Sequence, residues 1–386
     1  DYAAFISGTN DFGFDLYKKL TVDSGNFFFS PLSTTSALAM TYAGAKGNTA
    51  TQMASIFRST LSPTTFHASM NKLLLELDSR NIAEHQVANV GSKSLKLLPV
   101  NQAWGQTGYA LNVDYLDTLA VNYGAGLKLL DFAGNTEASR LTINQWVETK
   151  TNQRIQDLIP PDGLDSSTRL VLTNALYFYG SWASTFAKEL TQNADFHGAE
   201  GTQNVPFMHQ DMVAGYAEGD GFKAAALPYD GNKLSMMIVL PDAGKLDTLR
   251  TGLSSTWLAK VTADMKASDE TVSFTIPKFK FTWGTKSLRD PLIALGMTDA
   301  FVPGKADFSG IEPKKELFVS NVFHKAFIAV DERGTEAAAA TAVAYSNASV
   351  APVPKSFSVD RPFIFFIRDE SGAVLFVGEV RNIVND

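Results

Sequence analysis

Five histidines, His67, His85, His197, His209 and His324, are the side chains best suited to proton transfer or metal ligation near neutral pH. No two stand four residues apart, the spacing that sets a metal pair on one helix face. There is no Cys, which removes thiol nucleophiles, thiolate zinc sites, iron–sulfur ligation and disulfides. The GxSxG, HExxH, GxxxxGK[ST] and GxGxxG patterns are absent. Each His therefore reads as structural or solvated. The residues point to no catalytic group, no metal site and no cofactor.

The segment with unusual chemistry is residues 331–361, DERGTEAAAATAVAYSNASVAPVPKSFSVDR. By propensity its alanines favour a short surface helix, or the stretch is a flexible loop. Side-chain size suggests a third state. As a strand, it would place Thr335, Ala337, Ala339, Thr341, Val343 and Tyr345 on one face. Glu336, Ala338, Ala340, Ala342, Ala344 and Ser346 would share the other. The first face is small and uncharged, so it can enter a gap in a sheet without steric or desolvation cost. Glu336 falls on the opposite face, where it is expected to stay wet. A loop near 30 residues is usually functional, and loop tips are favoured protease sites.

The elements that must position this segment follow from periodicity. Helical spacing of apolar residues predicts helices over 9–20, 33–43, 65–77 and 142–158, the last stopped by Pro160-Pro161-Asp162-Gly163. Apolar runs and alternation predict strands over 168–179, 234–240, 271–281, 317–330 and 362–377. Helices first and strands later argue for an α+β fold. No repeat or linker divides the 386 residues, so one large domain, 1–386, or two halves sharing a core is expected. The chain is 45% hydrophobic with 27 Phe, which implies a large buried core. A formal charge of −7 argues against nucleic-acid binding, and no run reaches the roughly 18 apolar residues of a membrane helix. The chain starts at Asp1 without Met or a signal segment, which leaves a removed leader and a trimmed start both open.

The sequence Val330-Asp331-Glu332-Arg333-Gly334-Thr335-Glu336-Ala337-Ala338-Ala339 resembles the hinge of the serpin family. Residues 357–367, FSVDRPFIFFI, resemble its C-terminal signature. Further similar stretches are 26–33 (NFFFSPLS), 44–49 (GAKGNT), 143–147 (INQWV), 172–178 (LTNALYF), 240–242 (LPD) and 307–310 (DFSG). They run in the family's order over nearly the whole chain. Trp104-Gly105-Gln106 points toward prokaryotic members.

The resemblance implies three β-sheets, eight or nine helices and an exposed reactive-centre loop over about 332–357. It implies an inhibitor of serine proteases, not an enzyme. The protease cleaves the loop, and the loop inserts into sheet A before the acyl-enzyme hydrolyses. Gly334, Thr335, Glu336, Ala337, Ala338, Ala339 and Ala340 form a hinge of inhibitory type. Counting seventeen residues from Glu332, as inhibitory members do, puts the reactive bond at Ala348–Ser349. Asn347, Ser349 and Val350 are alternative positions, and Tyr345 would suit a chymotrypsin-like protease. Ala at the specificity position favours elastase-like or subtilisin-like targets. Asn347-Ala348-Ser349 also spells a glycosylation sequon, read as coincidence because a glycan would block the bait. The shutter maps to Ser30, Ser33, Asn174 and His324, and the breach to Trp182, Lys278 and Glu332. The cations Lys72, Arg80, Lys93 and Lys96 are too dispersed for a heparin site. A monomer in a secreted or extracellular setting is expected, without membrane or nucleic-acid partners. A non-inhibitory carrier or chaperone of the same family is the alternative.

Overall fold

The computed structural model describes residues 1–20, 25–124, 126–266, 270–336 and 353–384. In chain order the elements are α1 (Tyr2–Leu20), β1 (Phe27–Phe29), α2 (Pro31–Tyr42), α3 (Gly47–Ile56), α4 (Pro63–Asp78), β2 (Ile82–Val87), β3 (Gly91–Gln106), α5 (Val113–Tyr123), β4 (Lys128–Leu130) and α6 (Thr136–Lys150). Then come β5 (Leu170–Ser181), β6 (Gln192–Gly198), β7 (Gly201–Gly219), β8 (Phe222–Pro228), β9 (Leu234–Pro241), α7 (Leu246–Gly252) and α8 (Ser255–Lys266). The chain finishes with β10 (Glu270–Pro277), β11 (Phe279–Ser287), α9 (Arg289–Ala294), β12 (Val319–Asp331), β13 (Gly334–Thr335), β14 (Lys355–Ser358), β15 (Phe363–Asp369) and β16 (Val374–Val380).

Sheet A has the order β11-β12-β13-β5-β3-β2, with β4 added beside β3. The other strands run β1-β16-β15-β9-β8-β7-β10-β14, with β6 also on β7. The long strand β7 serves two sheets: Phe207–Ala214 lies against β10, and Gly215–Gly219 against β8. The architecture is α+β.

Aromatic burial explains the assembly. Twenty-four of the 27 Phe are buried, so the surplus is core and not surface. Phe28 of β1 stacks on Phe365 and Phe376, Phe27 meets Trp283 edge-on, and Phe29 meets His324 edge-on, joining the two large sheets. Every residue of α2 is buried. Ser30 caps that helix, accepting from the Ser33 amide at 3.0 Å, with Pro31 in its first turn. A second, smaller core lies on the outer face of sheet A, where α6 and the segment after it cover Trp104, Val171 and Phe323.

Several expectations are corrected. The helix expected over 142–158 is α6, which ends at Lys150. Beyond it Asn152, Gln153 and Asp157 adopt positive φ, so Ile155 and Leu158 are buried from irregular backbone. The strand expected over 271–281 is two strands in different sheets, parted at Pro277 and Lys278. The strand expected over 362–377 is the β15–β16 hairpin. Strands are not confined to the later chain, since β2 and β3 precede residue 107. β3 carries Pro99 and mixes polar with apolar residues, which hid its period.

Candidate functional site

Strands β5 and β12 run parallel and pair directly from Val319↔Leu170 to His324↔Asn174. Higher up they part. Gly334 and Thr335, as β13, sit between them, antiparallel to both: Val330↔Thr335 on one side and Thr335↔Gly180 on the other. Between these levels, residues 175–179 pair only with β3 and residues 326–328 only with β11, among the described residues, while the Ala329 carbonyl also accepts from the Glu336 amide at 2.7 Å. The result is a slot five residues long, roughly 17 Å at the rise of a strand. A strand entering it would be antiparallel to both walls, the pairing with the better hydrogen-bond geometry.

The hinge residues fit the mouth of the slot closely. A Cβ on Gly334 would lie 1.9 Å from the Gly180 carbonyl oxygen, so only Gly can pass. Thr335 is 2% exposed, and its hydroxyl lies 2.7 Å from the buried Tyr229 hydroxyl. Thr335 thus takes the inward face expected for it. Glu336 does not stay wet. Its side chain is 7% exposed and forms an ion pair with Arg154. Burial pushes the Glu336 carboxyl up, and Arg154 offsets this only in part. Ala337, Ala338, Ala339, Ala340 and the bond Ala348–Ser349 lie outside the described residues. Beyond the loop, β14 runs parallel to β10, with Phe357 buried.

The breach residues come together above the slot. The Trp182 indole N–H donates to the Asp331 carbonyl at 2.9 Å, and its ring stacks on Tyr229 at 4.6 Å. Lys278 Nζ reaches the Glu332 carboxylate at 2.9 Å, and the Thr191 hydroxyl donates to the same group at 2.8 Å. Burial acts to raise the Glu332 carboxyl, but Lys278 and Thr191 hold it below the usual carboxylate range. Glu332 is 7% exposed, so this pair is not a solvent-screened surface contact.

The shutter residues meet where β5 and β12 first part. Ser30 Oγ donates to the Leu375 carbonyl at 2.7 Å, and the Ser30 amide donates to His324 Nε2 at 3.4 Å. His324 is fully buried, edge-on to Phe29. Asn174 stands opposite His324 in register; its side chain lies outside what the structure describes. Asn101 was missed by the sequence reading. Its Oδ1 accepts from Ser33 Oγ at 2.7 Å, and it faces Asn174 across the sheet. The only signal was an amide within the unrecognised strand β3. Of the cations weighed for heparin, Lys72 pairs with Glu76, Arg80 with Asp369, and Lys93 donates to the Ala183 carbonyl.

Comparison with known proteins shows the family. A family model described as "Serpin (serine protease inhibitor)" matches residues 7–383. An uncharacterized serpin-like protein of Thermococcus kodakarensis is 42% identical over 98% of this chain and 85% of its own. The leukocyte elastase inhibitor of Homo sapiens is 35% identical over 96% of this chain and 97% of its own. The crystal structure of the thermophilic serpin tengpin in its native state superposes with a TM-score of 0.87 at 30% identity, covering 98% of this chain and 94% of that one. The chain belongs to the serpin family.

Proposed function

We propose that this chain is a secreted or extracellular inhibitor that traps serine proteases as a suicide substrate. The observation that carries this reading is the five-residue slot with Thr335 already seated at its mouth. In the proposed cycle the protease serine attacks the Ala348 carbonyl. The Ala348–Ser349 bond breaks, the Ser349 amine leaves with a proton, and residue 348 becomes an ester on the protease. The freed hinge then zips into the slot behind Thr335 and carries the ester with it. Elastase-like and subtilisin-like proteases, whose specificity pockets take small side chains, are the proposed targets.

Mixing the protein with elastase or subtilisin tests this on a denaturing gel. A band near the summed mass is expected. Cleavage between residues 345 and 350 with no such band refutes the reading.

One observation favours a carrier instead. A cavity of about 510 Å3 lies between α1, α8, β9 and β15, lined by Ile6, Leu258 and Arg368 among others. Arg368 Nε is buried there without a hydrogen-bond partner among the described residues. Uptake of an anionic dye such as anilinonaphthalene sulfonate, lost in Arg368→Met, together with no covalent band, would support that reading.

A further inference from the structure

Strand β13 ends at Thr335, and something must hold it there. At Glu336 the backbone turns to φ +61°, leaving the strand path, while its amide still donates to the Ala329 carbonyl at 2.7 Å. A non-Gly residue in this left-handed region is uncommon and needs a reason. The turn drives the carboxylate to the outer face of sheet A, where it is buried. A buried carboxylate requires a counter-charge.

Arg154 supplies it, from a segment shaped to do so. After α6 ends, Thr151 caps the helix and the Gln153 amide donates to the Glu148 carbonyl at 2.8 Å. Asn152 and Gln153 both take positive φ, which brings Arg154 over the slot. Its guanidinium lies over the Phe327 ring at 5.7 Å, on one wall. Lys325 Nζ donates to the Gln156 carbonyl at 2.7 Å, tying the same segment to β12. Tyr177 faces the pair from β5, the other wall.

We propose that Arg154 is a positioning residue that sets the resting depth of the hinge, and through it the fraction of cleavage events that end in a trapped protease. The second half rests on the inhibitory reading above; the first does not. Arg154 lets Glu336 be buried in its turned conformation, so the strand halts one residue into the slot. Without Arg154 the uncompensated carboxylate expels the hinge, and insertion must begin from outside. Without the charge on Glu336, Arg154 is not needed.

This predicts opposite behaviour for the two partners, unlike a simple ion-pair latch. Hydrogen exchange at the Thr335 and Glu336 amides is measured by mass spectrometry on the intact, uncleaved protein. Arg154→Ala is expected to exchange at least about tenfold faster than wild type. Glu336→Gln should stay near wild type, and Arg154→Ala with Glu336→Gln should return there. The covalent fraction with elastase should fall in Arg154→Ala and recover in the double variant. Wild-type protection in Arg154→Ala, or a double variant as fast as Arg154→Ala, overturns the proposal. So does an unchanged covalent fraction when wild type traps normally. If wild type forms no covalent band, the inhibitory reading fails and the exchange data alone decide the anchor.

Discussion

Replacing Thr335 by Arg probes the slot at its narrowest point. Thr335 is 2% exposed, with its hydroxyl 2.7 Å from that of Tyr229, whose ring is stacked on Trp182. A seated Arg would bring a charge into this aromatic corner. An uncompensated buried charge costs about 3–5 kcal/mol. Tyr229 would also lose its hydroxyl partner, a further cost of about 1–3 kcal/mol. The chain avoids both by leaving the hinge outside, so the body of the fold should keep its melting temperature. If only 3 kcal/mol appears in the barrier to insertion, insertion slows roughly a hundredfold. Hydrolysis of the acyl-enzyme is the protease's own step and keeps its rate. Nearly all cleavage events should then end in free protease and cleaved inhibitor. The assay is the yield of covalent band against inhibitor consumed, with Thr335→Ser as the control that retains the hydroxyl. A covalent yield for Thr335→Arg equal to wild type, with Thr335→Ser also normal, would refute the argument that Thr335 must be buried for insertion.

Two further outcomes follow from the same geometry. Cutting the loop within 337–352 lets residues enter the slot, forming a ladder of about five hydrogen bonds on each side at about 1 kcal/mol each. The melting temperature should rise by roughly 20 °C or more, at about 2 °C per kcal/mol; a cut protein that melts with the intact one has not inserted. His67 gives a pH dependence. Burial pulls it down from 6.5 to about 4, its Nδ1 lies 2.6 Å from the Tyr123 hydroxyl, and its Nε2 is buried. The unfolded chain therefore takes up a proton that the folded one refuses. Stability is full above 6.5 and is lost as pH falls toward 4. Denaturant unfolding should show a loss of about 2 kcal/mol from this group between pH 7 and pH 5. His67→Gln should remove that part of the slope; an unaltered slope would place the proton uptake elsewhere.

Of the expected hinge, the places of Gly334 and Thr335 were legible because size is written in the sequence. Gly334 and Thr335 are small, and the structure seats them where small residues are needed. The breach and shutter residues were legible only through the family resemblance. Nothing in the spacing of Trp182, Lys278 and Glu332 says that they meet; the pairing of β13 with both β5 and β12, and the link from β10 to β11, bring them together. Arg154 was not legible at all. Its role depends on where α6 stops, and the helical period of Ile155 and Leu158 hid that end. The wet Glu336 expected from strand alternation failed for a related reason. Alternation fixes the face on which a side chain emerges, but not what already covers that face. Asn101 was lost with β3, whose mixed composition and Pro99 gave no clear period.

The placement of β14, β15 and β16 has a consequence for what a cut protein is. All three follow the loop, yet β15 lies between β9 and β16, and β16 between β15 and β1, inside a sheet. Phe363, Phe365, Phe366 and Val377 are wholly buried there. A break anywhere in 337–352 therefore produces two polypeptides that cannot drift apart. The nicked molecule should travel as one particle through a sizing column and as two bands in detergent. The shorter band carries β15 and β16 from inside a sheet, so the cut ends the connection without ending the fold.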